Sequence, residues 1–376
     1  MKLGKWALAA LLVCFVASAA FAADDVIKIG VYLPLTGQNA FGGQLELDGV
    51  NLAHSLVSEV LGKKVELVVL DNKGDTTECA NAMQRLVEQE KVNAVIGTYG
   101  SSCAMAGGEI NEKAGVPAMG TSCTNPLVTQ NKKYYFRACF IDPFQGKAVA
   151  QYAFDNGKKK AALLLDVAQD YSVGLGKFFK DHFTKIGGEV VAELNYQSGD
   201  QDFTAQITEI ISKGADILFI PSYFAEGAII IKQARDAGAE FLIIGADAMD
   251  NPEMVKIGGK AIEGFTFTTF PYAIEMPDMS DTQKAFTEAW QKQFPDKEPN
   301  ANSALGYDSY MLVIDAIKRA GSADPEAITT ALAATKDFDG VTGKTTINET
   351  HDAEKAVGIK MVKDGKITFV TTVLPQ

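Results

Sequence analysis

From Val26 onward, short apolar runs of strand length alternate with longer segments of helical spacing, and this alternation restricts the fold more tightly than any other feature. VIKIGVYL (26–33) reads as a buried strand. Between Gln44 and Leu61 the residues Val50, Ala53, Leu56, Val57 and Val60 recur every three or four positions, and VELVVL (65–70) returns to strand. Asp75 with Glu78 has the spacing of a capping box opening a helix striped by Cys79, Met83, Leu86 and Val87. VNAVIG, the segment 101–113 and VPAMG continue the pattern. It restarts at AALLLD (161–166) and runs through 173–186, GEVVAEL, 203–213, ADILFI, 226–237 and FLIIG (241–245). Strands separated by helices imply parallel pairing, so the expectation is α/β, with two Rossmann-like parallel units in tandem. After Phe270 the spacing is helical over 282–294, 302–320 and 325–334, followed by the strand-like VGIKMV and KITFVTTV joined at Asp364-Gly365.

A chain of 376 residues also predicts about two domains. The tandem units are separated by the 136–146 segment, and the late helices return before a strand-like tail. We therefore expect two lobes, 24–141 plus 272–353 and 142–271 plus 354–376, joined by three crossovers near Asp142, Phe270 and Ala353.

At the N-terminus, Lys2 and Lys5 precede an apolar stretch from Trp6 to Val16 and a small-residue segment, 17–23. This reads as a signal peptide, 1–22, with Ala20-Phe21-Ala22 matching the cleavage pattern and export followed by cleavage after Ala22. An uncleaved anchor would need about 20 apolar residues, more than are present. Removing Lys2 and Lys5 from the 35 basic residues leaves 33 against 47 acidic ones, a net charge of −14. Such a surface repels phosphate backbones and anionic lipid, which argues against nucleic-acid or membrane-surface partners.

Cleavage also removes Cys14 and leaves four cysteines, for which three pairings are possible. We expect Cys79 with Cys103, which begin neighbouring helices, and Cys123 with Cys139, which closes the segment after the Cys123 turn. With no C-x-x-C and no histidine near a cysteine in sequence, neither a metal nor a cofactor is expected. Gly343-Lys344-Thr345 has Phe338 where a phosphate loop needs glycine.

In open parallel sheets, ligands sit at the C-terminal ends of strands, where helix N-termini present free N–H groups. Three such turns are rich in hydroxyls: 97–102 (GTYGSS), 120–124 (GTSCT) and 221–223 (PSY). The first two belong to one lobe and can converge on a carboxylate. Asp247, directly after FLIIG, places a negative charge at a neighbouring strand end, where a ligand ammonium could meet it.

At these residues the chain resembles the periplasmic branched-chain amino-acid-binding proteins of ABC importers. The likeness is carried by 27–30 (IKIG) with 34–37 (PLTG), by the GSS and TSCTNP turns, and by Phe136-Arg137 with Asp142 and Gln145-Gly146. Asp202-Phe203, 233–235 (QAR) and Gly238 complete it. It implies the type I periplasmic binding fold, no enzymatic activity, and a monomer that hands an apolar amino acid to an inner-membrane ABC permease. It also implies site roles. Ser101 takes the ligand carboxylate, Ser122 contributes backbone groups, and Thr124 holds carboxylate and amino group. Tyr171 and Tyr223 close over the ligand, Phe41 packs on its side chain, and Asp247 stands where the leucine-type proteins usually carry Glu. Phe41, Tyr307 and the cleft aromatics imply an apolar pocket.

Taken singly, Ser101, Ser122 and Thr124 are the residue types that cap helices, and the tyrosines are ordinary half-buried aromatics. Their clustering favours a site. Alternatives are a binding protein for another small carboxylate or amide, an exported enzyme using Ser101 or Cys103 as nucleophile, and a ligand-sensing module on the same fold.

Overall fold

The computed structural model describes residues 26–374, so the signal peptide and its cleavage site lie outside the described residues. The first sheet and its helices run β1 (Val26–Leu33), α1 (Ala40–Leu56), β2 (Glu59–Val60), β3 (Lys63–Asp71), α2 (Thr76–Gln84), β4 (Ala94–Ile96), α3 (Ser101–Ala114), β5 (Ala118–Gly120) and β6 (Tyr135–Arg137). Their spatial order is β2-β3-β1-β4-β5-β6. Every pair is parallel except the short β2 with β3. The central β1 buries Ile27, Ile29, Val31 and Leu33, as its apolar run requires. Strand order reverses between β1 and β4, which opens a crevice at their C-terminal ends.

The second unit comprises α4 (Asp142–Asp155), β7 (Lys160–Asp166), α5 (Asp170–Lys185), β8 (Glu189–Tyr196), α6 (Thr204–Ser212), β9 (Ile217–Ile220), α7 (Phe224–Asp236), β10 (Leu242–Gly245), α8 (Pro252–Gly258) and β11 (Thr266–Thr269). The chain then returns to the first unit through α9 (Asp281–Gln293), α10 (Ala301–Ala320) and α11 (Pro325–Ala333). Here α10 packs on α1 so tightly that a Cβ at Gly49 would meet the Ser303 carbonyl at 1.9 Å. Asn300 opens α10 in a reciprocal capping box with Ser303, and Ser280 does the same for α9 with Gln283. Asp75 caps α2 by accepting from Thr77 and Glu78 N–H, but Glu78 turns its side chain to Lys73 (3.0 Å) and the expected box is half made.

Two corrections concern the sheets. The expected parallel second sheet is mixed, in the order β16-β15-β11-β10-β9-β7-β8, because the tail strands β15 (Val357–Lys363) and β16 (Lys366–Val373) add to β11 antiparallel. A third small antiparallel sheet, β12 (Phe338–Gly340), β13 (Gly343–Ile347) and β14 (Ala353–Glu354), takes up the Gly343-Lys344-Thr345 segment. Its first turn is tied down by Asp308 of α10, which accepts from Val341 N–H (2.7 Å) and Thr342 N–H (2.8 Å).

Cys79 and Cys103 are bonded and staple the starts of α2 and α3. The expected Cys123–Cys139 bond is not formed: both are free and buried. Cys123 is packed under Gly120 and Tyr135, and burial beside Cys123 pushes the Cys139 thiol well up. The two thiols meet as hydrogen-bonding neighbours without being joined.

Candidate ligand-binding cleft

The turns after β4 and β5 form one wall. Gly100 precedes α3 with φ 96°, a conformation that favours glycine, and its N–H donates to the Ser122 carbonyl (3.1 Å). Absence of a side chain there also serves the other wall, since a Cβ would sit 2.9 Å from Tyr223 Oη. Ser101 starts α3, is 1% exposed, and its Oγ accepts from Asn125 N–H (3.1 Å). Its own proton is thus free to donate. The Thr124 hydroxyl and the Asp142 carboxyl at the start of α4 are buried facing each other, and neither has a further hydrogen-bond partner among the described residues. Burial, with Asp247 nearby, pushes the Asp142 carboxyl well above the usual range.

The opposite wall comes from the strand ends of the second sheet. Tyr171, in the first turn of α5, donates to Asp247 Oδ1 (2.8 Å), and Gln145 Nε2 donates to the same oxygen (2.7 Å) and to Thr268 (2.8 Å). This fixes the Asp247 carboxylate and leaves Oδ2 without a side-chain partner among the described residues. Burial raises the Asp247 pKa to about 6, while the Gln145 and Tyr171 hydrogen bonds pull it down. Tyr223 stands at the N-terminus of α7, its ring 5.7 Å from those of both Tyr171 and Tyr99.

Between the walls lies a narrow crevice, closed down so far that a free water has essentially no room in it, lined by Tyr99, Gly100, Ser122, Tyr171, Tyr223, Asp247 and Ala248. Of the residues expected from sequence, Ser122, Tyr171, Tyr223 and Asp247 line it. Ser101 and Thr124 are buried beside it. Phe41 lies on the rim, 37% exposed and edge-on to Phe224 at 6.5 Å. Tyr307 stands away from the cavity in the α10 packing, against Phe286 at 5.2 Å. Two residues escaped the sequence reading. Tyr99 crosses between the walls and donates to the Ala248 carbonyl (3.3 Å). Glu46 of α1 is 0% exposed behind Ser122 and accepts hydrogen bonds from Thr121 Oγ1 (2.6 Å) and Ser122 Oγ. Burial lifts its pKa to about 8, partly offset by those hydroxyls.

The arrangement therefore presents hydroxyl donors at one end, a carboxylate at the other and aromatic rings between. The family model for periplasmic binding proteins matches residues 26–366. The chain belongs to that family. As a periplasmic binding protein it is a solute-binding component of an ABC transporter and not an enzyme. Accordingly, Cys103 is held in a disulfide and Ser101 Oγ accepts a backbone amide. It is similar to the leucine-binding protein LivK of Thermotoga maritima, with 43% identity, 93% of this chain and 99% of that chain covered, and a TM-score of 0.90. It also resembles LivJ of Streptococcus pneumoniae in complex with isoleucine (34% identity, 93% and 100% covered, TM-score 0.86). A further likeness is to a solute-binding protein of Rhodopseudomonas palustris in complex with 3,4-dihydroxybenzoic acid (26% identity, 93% and 97% covered, TM-score 0.83). Among the described residues no helix is long and apolar enough to cross a membrane.

Proposed function

We propose that this periplasmic binding protein captures a small apolar α-amino acid of the leucine, isoleucine or valine class and delivers it to an inner-membrane ABC permease. The observation that carries the reading is Asp247: an oriented carboxylate facing the crevice between the two walls, whose other side chains are largely aromatic. An α-ammonium meets that carboxylate, and the ligand carboxylate meets the hydroxyls of Ser101, Ser122 and Thr124 near the N-terminus of α3. Tyr99, Tyr171, Tyr223 and Ala248 enclose the side chain. An aromatic acid without an ammonium would leave Asp247 buried opposite a second negative charge, which disfavours it.

Capture works by closure. The first lobe (24–141 plus 272–353) binds the ligand, and Tyr171, Tyr223 and Asp247 of the second (142–271 plus 354–376) favour the closed form when ligand is present. The closed shape is then what the permease recognises, as a monomer. Mass spectrometry of solute retained on purification, followed by calorimetry with leucine, isoleucine, valine and 3,4-dihydroxybenzoate, tests the ligand class. Tighter binding of the benzoate than of any amino acid would overturn it.

A further inference from the structure

Beyond Asp247, which an amino acid requires at its ammonium end, two further acids, Asp142 and Glu46, are buried at the cleft. Glu46 lies on α1, sealed behind Ser122, with no basic side chain among its contacts with the described residues. Its two oxygens accept from the hydroxyls of Thr121 and Ser122, with the Ser122 N–H facing the same carboxyl, and the hydroxyls can serve a carboxylate or, by reversing, a carboxylic acid. The other titratable groups facing it are Asp247 from the opposite wall and Tyr99 from the turn after β4. From α10, packed against α1, the surface nearest the Glu46 backbone is Gly306. On α1 itself, Asp48 is engaged by Lys297 (2.7 Å) and Gln44 (2.9 Å).

We propose that Glu46 is a positioning residue that takes up one proton as the lobes close on the ligand, and that its acid O–H then donates to Ser122 Oγ. This rests on capture by closure, in which the open cleft hydrates Glu46. The proton balance is simple. With Glu46 ionised, Ser122 gives its only proton to Glu46 and offers lone pairs to the cavity. With Glu46 protonated, the acid supplies the proton of that hydrogen bond, and the Ser122 proton turns toward the ligand carboxylate. Two effects drive the uptake. An ionised Glu46 would be a second buried anion near Asp247 with no cation to offset it, and it would set a lone pair of Ser122 against the ligand carboxylate. The raised Glu46 pKa in the closed cleft agrees in sign.

The sign for binding follows from linkage. Where the open form is deprotonated and the closed form protonated, affinity falls as pH rises, by up to about tenfold per unit. The test is isoleucine calorimetry between pH 6.5 and 8 in buffers of different ionisation enthalpy, on the parent and on Glu46→Gln. The parent should take up close to one proton near pH 7 and weaken as pH rises. Glu46→Gln, whose amide donates the same hydrogen bond without titrating, should bind within about tenfold of the parent at pH 6.5, with no uptake and a flat profile. A structural role alone would change affinity but not proton count. Equal uptake in both proteins, or none in the parent, overturns the proposal. If isoleucine does not bind, the ligand reading falls, and the same pair of proteins is titrated with whichever of the other amino acids or 3,4-dihydroxybenzoate binds; the difference in proton uptake between them then decides the role of Glu46 by the same criteria.

Discussion

Asp247 is the residue on which ligand choice turns. Its carboxylate is held by Tyr171 and Gln145, so replacing it with Ala leaves a bound ammonium desolvated and unpaired. The defect expected for Asp247→Ala is about 3–5 kcal/mol, on the order of 10² to 10³-fold or more in affinity. A 2-oxo acid lacking the ammonium should bind the parent poorly and lose little further in the variant; calorimetry on both proteins with both ligands closes the cycle. Equal affinity of the variant and parent for isoleucine would remove Asp247 from the site. Acid should act in the same direction. Burial in the closed cleft raises the Asp247 pKa to about 6, and a bound ammonium opposes that rise. In the open, hydrated form the carboxylate is relieved of this burial, so affinity for an amino acid should weaken only as pH falls into the ordinary carboxylate range of about 4, a limb opposite in sign to that assigned to Glu46. Ser122, Tyr223 and Asp247 were readable because they lie in strand-end turns, which an open parallel sheet brings to one crevice; Tyr171 was indicated by the family resemblance alone. Glu46 was not readable, since an acid within a helix ordinarily faces solvent. It sits four and seven positions before Val50 and Ala53 on the buried stripe, and that spacing was the one available signal.

At the scale of elements, the α1–α10 contact sets where Glu46 stands. A Cβ at Gly306 would meet the Glu46 carbonyl oxygen at 2.1 Å, a backbone atom that moves only if α1 moves. Gly306→Ala should therefore destabilise the protein by about 1–3 kcal/mol in denaturant titration and weaken ligand binding at temperatures where it stays folded. Unchanged stability would mean that the two helices separate freely. The Cys79–Cys103 staple closes a span of 24 residues between α2 and α3. Its loss in Cys103→Ala should cost roughly 3 kcal/mol, read from the shift in denaturation midpoint. Helices and strands of both units were legible from apolar spacing, but sheet neighbours were only partly so. Asp364-Gly365, both at positive φ, marks β15 and β16 as a hairpin from sequence alone. That β15 runs antiparallel to β11 depends on where the chain re-enters the second unit after α11. The strands of the third sheet are two to five residues long, too short for a period to register.

For the whole molecule, stiffness and motion are divided between different contacts. Around the crossovers the cations are buried and paired: Arg137 with Asp352 (2.7 Å), Lys355 with Thr342 (2.5 Å) and Asp308 (3.7 Å), and Lys360 with Asp250 (2.8 Å). Such pairs tolerate little change in geometry, so the proposed closure should bend the backbone between them. Contacts between the two walls include, inside the cleft, Tyr99 with the Ala248 carbonyl (3.3 Å) and, outside it, a polar set. Ser102 Oγ donates to Asp170 Oδ2 (2.9 Å) and accepts from Asp170 N–H (3.1 Å), Asn125 donates to the Asp170 carbonyl (2.8 Å), and Gln38 donates to Glu226. Sequence could not show these pairs, because 68 positions separate Ser102 from Asp170 and neither belongs to an apolar pattern. Ser102→Ala removes two of the bonds without changing charge or touching the ligand. At about 0.5–1.5 kcal/mol each, partly recovered by water in the open form, their loss should weaken isoleucine binding roughly 2- to 10-fold by lowering the closed population. The saturated complex should still close. Small-angle scattering along an isoleucine titration should thus show parent and Ser102→Ala compacting to the same radius, with the variant's midpoint displaced to higher ligand concentration. A coincident midpoint would show that these contacts do not bias closure, and an unchanged radius in both proteins, despite calorimetric binding, would overturn capture by closure itself.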